Sequence, residues 1–300
     1  MTLAVSVRGA QKAFRGKAAL RAADLAVAAG SIHGFVGPNG AGKTTCLRLL
    51  VGLLQRDGGD VDVLGLDPRR QSLQIRRRCA YLPGETSLYP YLTGAEFLAF
   101  AMSFYPRGDE ATLAALQAEW PLPLERKVRT YSAGMKQKLA LFATLVPDVE
   151  LYVLDEPDRA LDATARLFLR DLMRTVHARG KTILLSSHHL AEVEALAGKL
   201  TFLMDGATVP DARVEAARAR LREELRVRLR PGTTLPDGVV DLREDHDGTL
   251  RVRTAGDPLA WVRQIDRDAV QAVELGVTRL EDLYQALTSD SHASLGEATP

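Results

Sequence analysis

The segment GPNGAGKT, residues 37–44, has the spacing G-x-x-x-x-G-K-[ST] and lies between an apolar run and a helical pattern. Glycines in this arrangement let the backbone curl so that successive N–H groups face one anion, and the start of the following helix adds a partial positive charge. Lys43 is placed to reach the β- and γ-phosphates of a nucleotide, and the Thr44 hydroxyl is placed to ligate Mg²⁺. The segment therefore predicts nucleotide binding rather than a plain glycine-rich turn, with contributions from Gly37, Pro38, Asn39, Gly40, Ala41, Gly42, Lys43, Thr44 and Thr45.

Two carboxylates, Asp155 and Glu156, directly follow the apolar run in LYVLDEP, residues 151–157. Ligands of parallel α/β sheets bind at the carboxyl ends of the strands, which is where this pair is expected. Asp155 is predicted to hold the magnesium ion through a water molecule, and Glu156 to orient or deprotonate an attacking water. A solvated strand end is the alternative, but beside the phosphate-binding segment the pair favours hydrolysis over storage of a nucleotide.

A histidine pair ends another apolar run in LLSSHHLAEVE, residues 184–194. His188 is predicted to donate to the γ-phosphate from the same edge of the sheet. An isolated histidine usually has a structural role, and it is the position of His188 that favours the functional one. His189 begins the following helix and is expected to face solvent or to pack.

Small residues precede a helical run in YSAGMKQKL, residues 131–139. Ser132 is predicted to be the N-cap and Gly134 to lie in the first turn of a helix that ends before Pro147. Small residues at a helix start leave backbone N–H groups open to an anion, which the Ser132 hydroxyl can also contact.

Apolar runs alternate with helical patterns, which indicates an α/β fold. One helix is predicted over residues 44–54. A helical insertion is predicted to start at 93–106, where Thr93 and Glu96 have capping-box spacing. Continuous apolar runs are typical of a parallel sheet that is covered on both faces, and the strands are expected at residues 2–7, 31–37, 151–155 and 182–187.

A second, smaller α+β domain is predicted over residues 212–288. Its pattern comprises a hairpin at 239–254 and a closing amphipathic helix at 278–288, where Thr278 and Glu281 have capping-box spacing. Two interpretations of this domain remain open: contact with a partner or ligand, and structural capping of the first domain.

Composition restricts the class of protein. The 300 residues are 46% apolar and 26% charged with a formal charge of +1, which gives no global reason to expect nucleic acid as a partner. Apolar stretches such as residues 139–146 are too short to cross a bilayer, and no signal peptide is recognised, so we expect a cytosolic protein. Cys46 and Cys79 are expected to be buried hydrophobes, and residues 289–300 a disordered tail.

Taken together, the motifs of residues 1 to about 210 resemble those of the ATP-binding-cassette (ABC) ATPases, the nucleotide-binding subunits of ABC transporters. The resemblance implies a P-loop NTPase cassette with a mixed sheet core and a helical subdomain at about 85–135, which binds ATP and Mg²⁺. It also implies that Phe14 stacks on adenine. The motifs that carry it, in the family's order, are KAFRG, GPNGAGKTT, YLPGETSLYP, YSAGMKQ, LYVLDEPDRALD and SSHH.

The resemblance further implies a dimeric cycle. Two cassettes, expected to be copies of this chain, bind head to tail, so that each ATP lies between the phosphate loop of one and the Ser132–Gly134 signature of the other. Glu156 then polarises water, His188 holds the γ-phosphate, and Asp162 communicates across the dimer. Closing on ATP and opening after hydrolysis drives a separate integral-membrane permease, which places this chain at the cytoplasmic face of the membrane.

The resemblance is greatest to the ABC-2 type exporters, on YLPGE, YSAGMKQKL and the closing LEDLYQALT. The family docks its permease on the helical patch around residues 85–130. The chain departs from the family at Gly84 in place of a glutamine, at Asp158 and Arg159 in place of small hydroxylated residues, and at Ala133 and Met135 in the signature. Glu85, next to the missing glutamine, is interpreted as a bystander, with contact to the magnesium shell as the alternative.

The sequence leaves other functions to be weighed. An importer subunit is the nearest alternative within the family, and the sequence distinguishes it from an exporter subunit only weakly. A soluble ABC ATPase that acts on nucleic acid or ribosomes would be expected to carry a coiled-coil insertion or two cassettes, and neither is found; the arginines at 69, 70 and 76–78 are better explained as a solvated face. A P-loop GTPase or kinase would leave the signature and His188 without a role, and no N-K-x-D motif is found.

Overall fold

The computed structural model describes residues 2–187, 189–245, 247–276 and 279–296, the side chains of 290–296 excepted. The chain forms two compact units, Met1–Val209 and Pro210–Pro300, which are described separately. Among the described residues, every helix is too short or too polar to span a membrane.

The first unit is built on one mixed sheet in the order β4-β1-β2-β9-β8-β3-β7-β6-β5. Strands β5, β6, β7, β3 and β8 are parallel neighbours, whereas β4, β1 and β2 are antiparallel. The bounds are β1 Leu3–Phe14, β2 Lys17–Ala28, β3 Ile32–Val36, β4 Gly58–Val63, β5 Cys79–Leu82, β6 Leu151–Asp155, β7 Thr182–Ser186, β8 Lys199–Met204 and β9 Ala207–Thr208. The predicted α/β class is confirmed.

Three neighbouring strands in the parallel part of the sheet are buried along their whole length. Every residue of β3, β6 and β7 is buried, which agrees with their continuous apolar runs. Helices follow these strands and cover the sheet. In this unit they are α1 Lys43–Leu50, α2 Pro68–Arg78, α3 Gly94–Met102, α4 Glu110–Glu119, α5 Ala133–Leu145, α6 Ala163–Ala178 and α7 Leu190–Leu196. Asp155, Glu156 and the phosphate loop therefore stand at the carboxyl edge of a parallel sheet.

The first helix is shorter than the sequence pattern predicts. The apolar periodicity extends to Leu54, but α1 ends at Leu50 and Val51 is its C-cap. Gly52 then adopts a φ of +67°, and a Cβ there would lie 2.4 Å from Ser72 Cβ. The close approach of α2 thus requires a glycine in the left-handed region, and this glycine ends the helix.

The helical insertion contains α3, α4 and α5. Its predicted capping box is confirmed, because the Thr93 hydroxyl accepts from Glu96 N–H and Glu96 Oε2 accepts from Thr93 N–H. Of the aromatic side chains on α3, only Phe97 is buried, where it packs in a cluster with Val128, Tyr131 and Leu139. Phe100 is 42% exposed, so the apolar stripe of this helix continues onto the surface.

The second unit is a four-stranded antiparallel sheet with helices, in the order β11-β12-β10-β13. Its bounds are α8 Asp211–Arg222, β10 Leu225–Leu229, β11 Val239–Glu244, β12 Leu250–Thr254, α9 Pro258–Val262, β13 Val270–Leu275 and α10 Leu280–Gly296. A small core holds Leu225, Val227, Val252, Trp261 and Ile265. The predicted hairpin is present as β11 and β12.

Helix α10 continues beyond the predicted closing helix, since it runs to Gly296 rather than Thr288. Its buried Asp282 pairs with Arg226 on β10 and, at 3.1 Å, with Arg251 on β12. Thr278 of the predicted capping box lies outside the described residues, and the disordered tail stays a prediction.

Candidate nucleotide-binding and catalytic site

The predicted phosphate loop connects β3 to α1. Gly42 is the N-cap of α1 and has a φ of +105°, and a Cβ on it would lie 2.4 Å from Ala19 O. A Cβ on Gly37 would lie 2.1 Å from Leu203 O. Both positions therefore require glycine, because the loop backbone is packed against neighbouring backbone while it turns into the helix. This geometry places the start of an eight-residue helix, where backbone N–H groups lack helical partners, directly after the loop.

Lys43 is the first residue of α1 and is buried, with 6% of its surface exposed. Its ammonium donates to the carbonyl oxygens of Gly37 and Pro38, within the loop itself. Burial lowers the pKa of Lys43, and the nearby carboxylates of Glu156 and Asp155 partly offset that effect. A cation held in this way over the loop is suited to bind the phosphates of a nucleotide.

Asp155 is the more deeply buried residue of the acidic pair, with 1% of its surface exposed. Thr44 Oγ1 donates to Asp155 Oδ2 at 2.6 Å, and Ser186 Oγ donates to Asp155 Oδ1 at 2.6 Å. Both oxygens of the carboxylate are therefore oriented by hydroxyl groups from neighbouring elements. A hydroxyl and a carboxylate in contact provide the hard oxygen donors that Mg²⁺ prefers.

Glu156 lies one residue beyond β6, in the left-handed region with a φ of +50°. Its N–H donates to Ser186 O at 3.0 Å, which ties the end of β6 to the end of β7. A non-glycine residue in this conformation is uncommon, and such strained residues concentrate at functional sites. The turn places the Glu156 side chain at the phosphate loop: together they line a cleft of about 190 Å³, formed by Ala19, Pro38, Asn39, Gly40, Gly42, Lys43, Thr44, Thr45 and Glu156.

Phe14 is the last residue of β1, beside the hairpin turn to β2. Its ring is 45% exposed, and Lys12 Nζ lies 5.6 Å from the ring centroid. An exposed ring on a rigid strand end can stack on a planar ligand. It does not contribute to the lining of the cleft.

The predicted signature starts α5 as expected, with Ser132 as N-cap accepting from Met135 N–H at 3.2 Å. Ser132 is exposed, and neither it nor Gly134 lines the cleft. A Cβ on Gly134 would lie 3.1 Å from Ala160 O, so this helix start packs against the loop that follows the acidic pair. The structure thus places the signature beside that loop, with its N-cap hydroxyl on the surface.

Asp162 ends the same loop and is the N-cap of α6. Its Oδ1 accepts from Ala165 N–H at 2.8 Å, and the residue is exposed. The predicted communication role of Asp162 therefore coexists with a capping role that the sequence interpretation did not include.

Gly84 occupies the position of the missing glutamine. A Cβ there would lie 3.2 Å from Asp155 Oδ2, so a side chain at this position would point at the proposed metal ligand. Glu85 is exposed. Arg159, the other unusual residue, donates from Nη1 to Gly84 O at 2.8 Å. Gly84 and Arg159, which both depart from the family pattern, are therefore in contact with each other. Neither of the two sequence motifs predicts this contact by itself.

His188 lies outside the described residues. The residues on either side of it, Ser187 and His189, both hydrogen bond to the buried Asp158. This cluster was missed from the sequence, where His189 was assigned to solvent or packing. The available signal was an acidic residue at 158, where the family commonly has a small hydroxylated one.

Comparison with known proteins identifies the family. The family model described as "ABC transporter" matches residues 20–159. The chain is 31% identical to the daunorubicin resistance ATP-binding protein DrrA3 of Streptomyces coeruleorubidus over 306 residues, which cover 96% of each chain. It is 32% identical to the Nod factor export ATP-binding protein I of Burkholderia lata over 212 residues, 69% of this chain and 70% of that one.

Solved structures share the fold. An ATP-binding subunit of an ABC transporter superposes with a TM-score of 0.64 at 28% identity, over 72% of this chain and 92% of that one. A bacterial ABC transporter cassette, MJ0796, solved in a post-hydrolysis state with ADP and Pi, has a TM-score of 0.61 at 21% identity, over 69% and 97%. The chain belongs to the ABC transporter family. It is an ATP-binding subunit of that family and an ATPase.

Proposed function

We propose that this chain powers an exporter of the ABC-2 type by binding and hydrolysing ATP for a separate integral-membrane permease. The observation that carries the proposal is the cleft that joins the phosphate loop to Glu156, with Asp155 held behind it by Thr44. The whole-length similarity to a protein named for daunorubicin resistance supports export as the direction of transport.

Nucleotide binding is assigned to the loop backbone and Lys43, with Phe14 against the adenine. Thr44 and Asp155 would hold Mg²⁺, which supplies charge neutralisation for the phosphates. The fit of this ion rests on the donor set, since a hydroxyl and a carboxylate lie 2.6 Å apart at the carboxyl edge of the sheet. Glu156 polarises the attacking water from the side of the cleft that it lines, and His188 contacts the γ-phosphate.

A second copy of this chain completes each site. Ser132 stands exposed at the N-terminus of a 13-residue helix, where the open N–H groups suit an anion, but its own chain's cleft does not include it. A head-to-tail pair brings the Ser132–Gly134 helix start of one copy to the phosphate loop of the other. Asp162, exposed in the adjoining loop, lies in the same interface.

The permease is expected to dock on the exposed aromatic surface of the helical insertion, which we call the aromatic patch: Tyr89, Tyr91, Phe100 and Phe104, exposed by 56%, 76%, 42% and 59%. Three of its rings stack edge to face, with centroids 5.4 Å apart for Tyr89 and Phe100 and 5.0 Å apart for Phe100 and Phe104. Exposed aromatic clusters are typical of protein interfaces. Binding there holds the chain at the cytoplasmic face of the membrane.

Direct nucleic-acid binding is not part of the proposal. Arg78 forms a two-point ion pair with Glu150, and Arg76 donates to the carbonyl oxygens of Val51 and Gly52. These two side chains serve the fold. Arg69, Arg70 and Arg77 are exposed, which supports the interpretation of that part of the cluster as a solvated face.

Copurification tests the proposal. The expected permease is a neighbouring reading frame with about six apolar stretches of about 20 residues; where that frame is found, it is expressed together with this chain. We expect a stable complex that the double variant Phe100→Ser/Phe104→Ser loses and that Leu73→Ser retains. Leu73 is the matched control because it is 60% exposed on α2, as accessible as Phe104. A complex that survives loss of the two rings would contradict the docking surface, and the absence of any complex would contradict the permease partner.

A further inference from the structure

We infer that Asp158 is a positioning residue for ATP hydrolysis, because its carboxylate holds both chain neighbours of His188. The inference rests on the proposed role of His188. Asp158 belongs to the loop after β6, and only 5% of its surface is exposed. A carboxylate buried to this extent is costly unless it is paired, so its hydrogen bonds determine where the surrounding segments stand.

Within the described part of the chain, both hydrogen bonds to its Oδ2 come from the segment that follows β7. Ser187 Oγ donates to Asp158 Oδ2 at 2.8 Å, and His189 Nδ1 lies 2.7 Å from the same oxygen. The His189 backbone N–H in turn donates to Ser187 Oγ at 2.9 Å. Three bonds therefore close a ring that spans the residues before and after His188.

One arrangement of protons satisfies every contact of this ring. Arg166 Nη1 lies 3.3 Å from His189 Nε2, and a guanidinium can only donate, so Nε2 must accept. The His189 proton is therefore on Nδ1 and is donated to Asp158. Ser187 uses its hydroxyl proton toward Asp158 and its lone pair toward His189 N–H. A small hydroxylated residue at 158 would lack a carboxylate for these donors.

The ring of hydrogen bonds also connects two loops mechanically. Asp158 lies in the same loop as Glu156, and its backbone oxygen accepts from Leu161 N–H at 3.3 Å. The ring thus couples the loop that carries the water-polarising carboxylate to the loop that carries the γ-phosphate histidine. Asp158 contacts neither nucleotide nor water in this scheme, and acts only through the loop that contains His188.

A double-mutant cycle in single-turnover ATP hydrolysis tests the inference. We expect His188→Ala to lower the rate about 100-fold or more, and Asp158→Ala about 10-fold or more with KM for ATP within about 3-fold. Because Asp158 acts through His188, adding Asp158→Ala to His188→Ala should change the rate by less than about 2-fold. Asp158→Asn, which keeps one acceptor oxygen and the shape, should recover part of the rate.

Asp67→Ala is the matched control. Asp67 is likewise held by side-chain hydrogen bonds, in its case from Arg56, and it caps a helix, but it lies outside the cleft, so its removal should lower Tm and leave the rate unchanged. The inference would be overturned if Asp158→Ala lowered the hydrolysis rate equally in wild type and in His188→Ala, or if it lowered the rate in neither. If Asp158→Ala does not fold, Ser187→Ala and His189→Ala replace it in the same cycle with the same criteria. An unchanged rate in His188→Ala would instead refute the proposed role of His188.

Discussion

Thr44 and Asp155 are joined by a hydrogen bond of 2.6 Å from Oγ1 to Oδ2, although they are 111 residues apart in the chain. The bond connects the first turn of α1 to the end of β6. Ser186 fixes the other oxygen of the same carboxylate at 2.6 Å. Two oxygen donors for a hard cation are thus placed by the fold itself, which reduces the cost of orienting them when Mg²⁺–ATP binds.

Asp155→Asn tests this pair. The amide keeps the shape but removes the charge, so Mg²⁺ should no longer strengthen ATP binding, and hydrolysis should fall about 100-fold or more. Binding of a fluorescent ATP analogue with Mg²⁺ and with EDTA measures the first effect. Asp148→Asn, which breaks a surface ion pair with Lys181, is the control and should behave as wild type. Magnesium-dependent binding that persists in Asp155→Asn would argue against Asp155 as a ligand.

Glu156→Gln should separate binding from hydrolysis. The side chain lines the cleft beside Lys43 and Thr44, and the amide cannot accept the proton of an attacking water. We expect ATP affinity within about 3-fold of wild type and turnover reduced about 100-fold or more. Phosphate release and equilibrium binding on the same preparation check both statements. Undiminished turnover would remove Glu156 from the mechanism.

The phosphate loop and the acidic pair could be predicted because each is a short contiguous motif. The residue types in each motif, in that order, are suited to one kind of chemistry. The α/β class followed from apolar periodicity, but the mixed sheet came only from the resemblance to a family. The contacts of Asp158 with His189 and of Arg159 with Gly84 were missed, since each joins separate loops, 31 and 75 residues apart. The early end of α1 was also missed, because it depends on the approach of α2 at Gly52.

Acid stability should depend on His33, which is buried on β3 with Nε2 2.9 Å from Thr201 Oγ1. Burial, together with the neighbouring charge of Lys199, lowers the pKa of His33 from 6.5 to about 4. Between pH 6.5 and about pH 4, His33 binds a proton in the unfolded chain but not in the folded chain. The contribution of neutral His33 to the free energy of unfolding is therefore complete above pH 6.5 and falls as the pH drops toward 4. From pH 7 to pH 5 the loss is about 2 kcal/mol.

His33→Gln removes this titration and keeps a hydrogen-bonding group for Thr201. Urea unfolding at pH 7 and pH 5 should show that the variant loses about 2 kcal/mol less than wild type on acidification. His177→Gln, at a half-buried histidine whose Nε2 lies 3.0 Å from Gly30 O, is the control. Parallel losses in wild type and His33→Gln would show that His33 is not the source.

A mixing experiment tests whether ATP is shared between two copies. Lys43→Ala destroys the phosphate loop of its own chain, and Ser132→Arg fills the helix start that is proposed to face the partner's ATP. Ser132→Arg alone should keep ATP binding by the monomer and lose hydrolysis, because Ser132 is exposed and outside its own cleft. Mixed dimers contain one intact site, formed by the loop of one variant and the helix start of the other. Equal mixing should therefore restore about a quarter of wild-type turnover, if sites act independently. Two inactive variants that stay inactive when mixed, despite forming dimers, would place each ATP within a single chain.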